Sequence, residues 1–167
     1  MIGKLCVGSV LDVGCNCCEL KKYLTDSHTY TGIDIAPLDI GIFGDVYAIP
    51  FPDKSFDTVA LLETLEHLER PLDALKEIHR VVKIKVIISV PNPFNLDQIA
   101  SVLHNGYSCK DPDHLSMFSD NEIYNLCIAA GFTRIIPVRF YTKIPGLNWL
   151  VPIKSCFGEW SIYEVFS

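Results

Sequence analysis

An α/β fold on a mostly parallel sheet follows from three features of this chain. The run Ser9-Val10-Leu11-Asp12-Val13-Gly14 is a short apolar strand ending on a turn glycine, with helical spacing beyond it through Glu19, Leu20, Tyr23 and Leu24. Asp57–Leu62 is a largely apolar run, as expected of a parallel strand buried on both faces. Leu72–Val82 then carries apolar residues at 72, 75, 78, 81 and 82, the spacing of a helix laid on a sheet.

The chain has 167 residues, 49% of them hydrophobic and 20% charged, which predicts one domain over residues 1–167 with a sizeable core. A net charge of −6 argues against a non-specific nucleic-acid binder, and the basic residues Lys21-Lys22 and Lys83/Lys85 come in pairs, not stripes. No apolar run reaches the roughly 20 residues that span a bilayer, and Met1 to Gly8 is too short for a signal peptide. The expected location is therefore cytoplasmic. Seven cysteines fit that compartment as free thiols.

The elements follow in order. Strand 1 is expected at Ser9–Val13, a helix at Cys17–Leu24 and strand 2 at Tyr30–Asp34. The ten residues between Asp34 and Asp45 hold Pro37, Gly41 and Gly44, too short and broken for a crossover helix, with a short strand 3 near Ile42–Asp45. Ala48 to Ser55 carries two prolines and reads as a loop. Strand 4 is Asp57–Leu62, the following helix has Pro71 at its first turn, and strand 5 is Lys85–Val90. Helices are expected near Leu96–Leu103 and at Asp120–Ala130, the latter with Ser119 as N-cap, Glu122 in its first turn and Gly131 beyond its end. Strands 6 and 7 are expected at Arg134–Tyr141 and Trp160–Val165. The apolar segment Ile144–Ile153 between them reads as core cover by default, with a substrate lid or a dimer contact as alternatives.

The chemistry concentrates at the strand ends. The turn after Val13 opens onto a helix N-terminus, where unpaired N–H groups can hold an anionic group. Asp34 lies 20 residues beyond Gly14, the spacing at which an acid reaches the ribose hydroxyls of a nucleotide. Glu63-x-x-Glu66-His67 follows strand 4 at the same sheet edge, and a helical path there would converge two carboxylates and an imidazole. His114 lies in a later loop able to fold over that edge. Cys15/Cys17/Cys18 lacks the paired C-x-x-C layout of a thiolate metal site and reads as small side chains standing where glycines could.

Asp12-Val13-Gly14-Cys15 with Gly32-Ile33-Asp34-Ile35 resembles motifs I and II of the class I S-adenosylmethionine-dependent methyltransferases. Gly44-Asp45, Ile49-Pro50-Phe51, Ser55-Phe56-Asp57, Leu65-Glu66-His67-Leu68, Ser89-Val90-Pro91-Asn92-Pro93, Asp113-His114-Leu115 and Ala130-Gly131-Phe132 follow in family order, over about residues 8–141. The resemblance implies a three-layer Rossmann-like methyltransferase fold of about seven strands with an antiparallel last strand. It is shortened here: the first helix and the crossover helix between strands 2 and 3 are missing, and the turn before strand 5 is reduced to Lys83-Ile84. It implies S-adenosyl-L-methionine as cofactor, with Asp12, Gly14 and Cys15 at the methionyl part, Asp34 at the ribose, Asp45 and Val46 at the adenine, and Ile35 as a further cofactor-binding residue. Asn16 and Cys18 replace family glycines, and Asn tolerates the left-handed backbone such a turn needs.

Glu63, Glu66, His67 and His114 resemble the ligand set of two metal-dependent O-methyltransferase groups, which implies Mg²⁺ or another divalent cation. Alternatively His67 or His114 is a general base, or Glu66 and His67 only cap a helix beside the pocket. The implied activity is methyl transfer to an oxygen or nitrogen of a small-molecule acceptor. A homodimer or partner protein would complete a cofactor cleft left open by the missing first helix. Two rivals stand beside it. One is a degenerate, non-catalytic methyltransferase fold that binds or regulates a partner; the other is a nicotinamide-dependent dehydrogenase, whose Gly-x-Gly-x-x-Gly turn is absent.

Overall fold

In the computed structural model the described residues are 2–36, 41–92, 103–104, 113–138, 142–143, 150–151 and 160–167. β1 (Ser9–Val13) runs parallel to β2 (Thr29–Asp34) on one side and to β4 (Phe56–Leu62) on the other. β3 (Ile42–Phe43) continues the parallel set beyond β2, and β5 (Val82–Pro91) continues it beyond β4. β9 (Trp160–Phe166) enters antiparallel between β5 and β6 (Arg134–Val138). The seven-stranded order is β3-β2-β1-β4-β5-β9-β6, with the antiparallel last strand the resemblance implied. A separate pair, β7 (Thr142–Lys143) and β8 (Leu150–Val151), lies inside the expected strand 6 to strand 7 connection.

Alternation along the strands sorts residues onto two faces. Leu11 and Val13, Val59 and Leu61, and Val86 and Ile88 join the larger core, together with buried residues of α1 (Pro71–Val81) and α2 (Asp120–Ala130). Val10, Ala60 and Ile87 join a second cluster on the opposite face, with Cys6, Leu20 and Ile162. Among the described residues that face is covered by 3-10 turns at Ile2–Lys4 and Glu19–Tyr23. In α1, Ala74, Leu75, Ile78 and Val81 are buried, and Pro71 sits in the first turn, where its missing N–H costs nothing.

Three differences from expectation have local causes. The helix expected at Cys17–Leu24 is a five-residue 3-10 turn, Glu19–Tyr23. Asn16 and Cys18 adopt left-handed backbone, φ 42° and 56°, so right-handed turns begin only at Glu19. β5 begins at Val82, the residue after α1, so no connecting turn is needed and Lys83-Ile84 are already strand. Strand 3 shrinks to Ile42–Phe43, because Asp45 turns to bridge Ala48. All but Leu103 of the helix expected near Leu96–Leu103, the end of strand 6 at 139–141 and most of 144–153 lie outside the described residues; Leu103 is helical.

The loop after β3 is held by α1. The Arg80 guanidinium donates to the carbonyls of Phe51 (2.9 Å) and Ile49 (3.0 Å) and pairs with Asp53 (2.8 Å) and Glu77 (2.6 Å), while the Ile49 N–H donates to Glu77 (3.0 Å). α2 has both ends as expected. Its capping box joins the Glu122 N–H to Ser119 Oγ (3.4 Å) and the Ser119 N–H to Glu122 Oε2 (2.8 Å), and Gly131 closes it at φ 105°. Ser119→Ala is expected to cost about 1 kcal/mol in urea unfolding, with an unchanged denaturant slope.

Candidate functional site

A cleft of about 610 Å³ opens where β1, β2 and β4 end, the edge at which open α/β sheets bind ligands. Its floor depends on one close approach. Gly14, at φ 73°, donates its N–H to the Ile33 carbonyl (2.9 Å), and a Cβ placed there would lie 2.5 Å from Thr64 Oγ1. Only glycine combines that backbone with that clearance. Thr64 Oγ1 in turn donates to the Leu62 carbonyl (2.9 Å) and lies 3.3 Å from the Val13 carbonyl, tying the β4 end to the β1 end.

Asp34 closes β2 beside this turn. Its carboxylate accepts from the Asn16 N–H (2.9 Å) and the Ala36 N–H (2.9 Å), so it fixes the loop while lining the cleft. Asp45 accepts from the Tyr47 N–H (2.9 Å) and shapes the far wall with Gly44, Val46 and Tyr47. Arg70 lies 4.3 Å over the Tyr47 ring and donates its N–H to the Tyr47 hydroxyl (3.1 Å). Gly14, Asp34, Ile35, Asp45 and Val46 thus line one cleft, as expected.

Asp12 and Cys15 do not line it. Period-two alternation puts Asp12 on the Val10 face, 4% exposed, where its carboxylate accepts from the Tyr30 hydroxyl (2.8 Å). Burial pushes its pKa up to about 6; the Tyr30 bond opposes the rise and the Asp34 charge adds to it. Tyr47, Thr64, Leu68 and Glu69 also line the cleft and were not foreseen. Thr64 sat inside the Glu-x-x-Glu-His motif, a usable signal; the Tyr47–Arg70 pair spans 23 residues and leaves none.

The second constellation forms in part. Leu65–His67 is a single 3-10 turn, and Glu63 precedes it at φ 47°, so the helical path needed to align Glu63 with Glu66 is absent. Glu63 instead accepts from Ser89 Oγ (2.7 Å) and lines the cleft with His67. Leu115 and Ser116 donate their N–H groups to the Glu66 carbonyl (2.9 and 3.1 Å), which lays residues 113–116 against the turn. Glu66, His67 and His114 thereby offer ligand atoms within 4.8 Å of one another, and Glu63 is outside that group. The imidazoles meet edge to face at 4.7 Å. His67 Nδ1 lies 3.0 Å from the Asp113 carbonyl, which can only accept, so Nδ1 carries the proton and Nε2 of the neutral ring is an acceptor. Glu66 is 1% exposed and, among the described residues, neither carboxylate oxygen has a hydrogen-bond partner. Burial, then the Glu63 charge, pushes its pKa up to about 7, while the nearness of its own backbone N–H, short of a hydrogen bond, and of His67 oppose the rise.

The methyltransferase domain family matches residues 6–136. The chain belongs to that family. Its fold is that of the S-adenosylmethionine-dependent methyltransferases, shared with an Archaeoglobus fulgidus enzyme of that type at TM-score 0.72 and 20% identity, covering 96% of this chain and 86% of the other. A methyltransferase solved in complex with the Haloferax volcanii Trm112 methyltransferase activator aligns at TM-score 0.61 and 19% identity, covering 95% of this chain and 80% of the other. The demethylmenaquinone methyltransferase of Chlamydia muridarum is 41% identical over 130 residues, 73% of this chain. The chain spans 56% of that relative's length. Among the described residues no helix is long and apolar enough to cross a membrane.

The buried Asp12 makes this methyltransferase-family chain sensitive to pH. Its folded pKa of about 6 lies above the ordinary 3.8, so the native state binds the proton more tightly. Stability is full below the unfolded value and falls as pH rises through about 6. Asp12→Asn, which keeps an acceptor for Tyr30, should gain on the parent by on the order of 2 kcal/mol between about pH 4 and pH 7.5 in urea unfolding.

Proposed function

We propose that this chain transfers the methyl group of S-adenosyl-L-methionine to an oxygen or nitrogen nucleophile of a small-molecule acceptor in the cytoplasm. The observation that carries the reading is one cleft lined by Gly14, Asp34, Ile35, Asp45 and Val46 at the carboxyl edge of the sheet. The cofactor's chemical demands fit these residues. Gly14 leaves a cradle that a Cβ would fill, Asp34 offers carboxylate oxygens for ribose hydroxyls, and Val46 and Ile35 offer apolar faces to a purine. Asp12 and Cys15, buried beside the cleft, would support the loop from behind.

When bound, the cofactor supplies a methyl carbon already activated by its sulfonium. The protein's share is to hold the acceptor in line with it and to take up a proton where the acceptor carries one. His67 suits the second task, with Nε2 unprotonated on a ring oriented by the Asp113 carbonyl; His114 lies beside it as the alternative base.

A second reading, a divalent cation assisting O-methylation, is favoured by the Glu66 carboxylate. A buried acid without a hydrogen-bond partner is costly unless something pairs with it. Glu66, His67 and His114, whose ligand atoms lie within 4.8 Å of one another, would hold the ion, Mg²⁺ or another. Its chemistry would be to lower the pKa of an acceptor hydroxyl. A partner protein or a second copy covering the cleft is supported by Ile35, 70% exposed at its wall, and Phe43, 71% exposed on the edge strand beside it. The likeness to a methyltransferase solved with an activator points the same way.

Calorimetric titration with S-adenosylmethionine and S-adenosylhomocysteine tests the first reading. One-to-one binding is expected, weakened at least about tenfold, ~1.4 kcal/mol, by Asp34→Ala. Silence at near-millimolar ligand for the chain and for any dimer would reject it in favour of a non-catalytic, partner-binding fold. For the cation, titration with Mn²⁺ should give a heat that Glu66→Gln and His114→Ala remove and Glu63→Gln retains. Equal heats in all three variants would count against the Glu66 site.

A further inference from the structure

Cys15 and Cys18 bound a C-x-x-C sequence, and their sulfurs lie 3.2 Å apart. Both are buried, at 6% and 3% exposure, while Cys17 between them is exposed. Neither lines the cleft, and the site described above uses neither sulfur. Their meeting is built into the backbone. Cys18 is left-handed at φ 56°, and its N–H donates to the Cys15 carbonyl at 2.6 Å, closing a tight turn that brings the two side chains to one side. β2 leaves the room they share. A Cβ on Gly32 would fall 2.7 Å from the Cys15 sulfur and 3.0 Å from the Cys18 sulfur.

We propose that Cys15 and Cys18 are a redox-active dithiol that closes to a disulfide in the presence of a low-molecular-weight disulfide such as oxidised glutathione. From 3.2 Å, the sulfurs need approach by only about 1 Å to reach bonding distance, a side-chain rotation in a loop whose neighbours Asn16, Cys17 and Glu19 are exposed. One cysteine, as thiolate, attacks the reagent RSSR. A protein–glutathione S–S bond forms, the RS–SR bond breaks, and one RSH leaves with a proton. The second cysteine attacks the protein sulfur of that mixed disulfide; the Cys15–Cys18 bond forms and the second RSH leaves. Two protein thiols are oxidised, one RSSR is reduced, and both thiol protons end on the released RSH.

The surroundings set the rate. Burial, and then the Cys18 thiol, push the Cys15 thiol up to about 12, which disfavours its thiolate at neutral pH. Attack by Cys15 on the disulfide reagent is slow for the same reason.

The test equilibrates the reduced protein in an equimolar mixture of oxidised and reduced glutathione, quenches with acid, unfolds, alkylates and maps fragments by mass. The expected product has lost ~2 Da, carries a Cys15–Cys18 cross-link and has Cys17 free to alkylate. Cys17→Ser should form the same cross-link. Cys18→Gly, which suits the left-handed backbone and so keeps the fold, should form none. Full alkylation of both Cys15 and Cys18, a cross-link using Cys17, or glutathione on Cys17 alone would each overturn the proposal. The readout needs no methyl donor, so it stands or falls apart from the cofactor reading.

Discussion

The approach of Gly14 to Thr64 is the constraint on which the site depends. It sits where the two central strands end, and any side chain at residue 14 would push the loops apart. With it, the β1 and β4 ends share one wall, and Asp34 on the next strand reaches across to the Asn16 N–H. The strand pairs are held by hydrophobic burial on two faces, which is indifferent to what happens at their tips. The tips are instead held by short polar bonds of the Thr64, Asp34 and Asp45 side chains to nearby backbone. Rigid strands below and individually bonded turns above are the arrangement that lets a sheet edge carry chemistry.

Local strain gathers at the same edge. Asn16, Cys18 and Glu63 are three of the four non-glycine residues with positive φ among those described, and all adjoin the cleft or its loop. Each such residue costs on the order of 1 kcal/mol, and the sheet absorbs the sum because its interior is nearly all apolar. Glu66 adds a different cost, an acid buried without a hydrogen-bond partner among the described residues.

Much of this was legible in the chain, and the reasons are specific. β1, β2, β4 and α2 declared themselves by apolar period and by end signals, Ser119 and Gly131 above all. Capping is a local matter decided within four residues. Gly14, Asp34 and Asp45 were found because turn glycine and strand-end acids are also local. What escaped reading depended on backbone choices that side-chain pattern does not encode. The pattern through Glu19, Leu20, Tyr23 and Leu24 is helical, yet left-handed turns at Asn16 and Cys18 leave room for only a 3-10 turn. The Glu63/Glu66 pair reads as one helical face until Glu63 turns left-handed and its carboxylate goes to Ser89. Tyr47 and Arg70 meet across 23 residues of sequence, in a loop that Arg80 of α1 also holds.

β9 has a consequence for how the molecule comes into being. It lies between β5 and β6, antiparallel to both, yet it is the last of these strands to leave the ribosome. Until residues 160–166 emerge, β5 and β6 each present an unpaired row of backbone N–H and C=O groups, and the apolar residues that face β9 stay wet. From the end of β5 at Pro91 until Trp160 is made, the nascent chain therefore carries an open sheet edge, which closes in one late, long-range step. Chaperone demand and aggregation risk are concentrated in that interval, far in sequence from the cleft that the finished sheet supports.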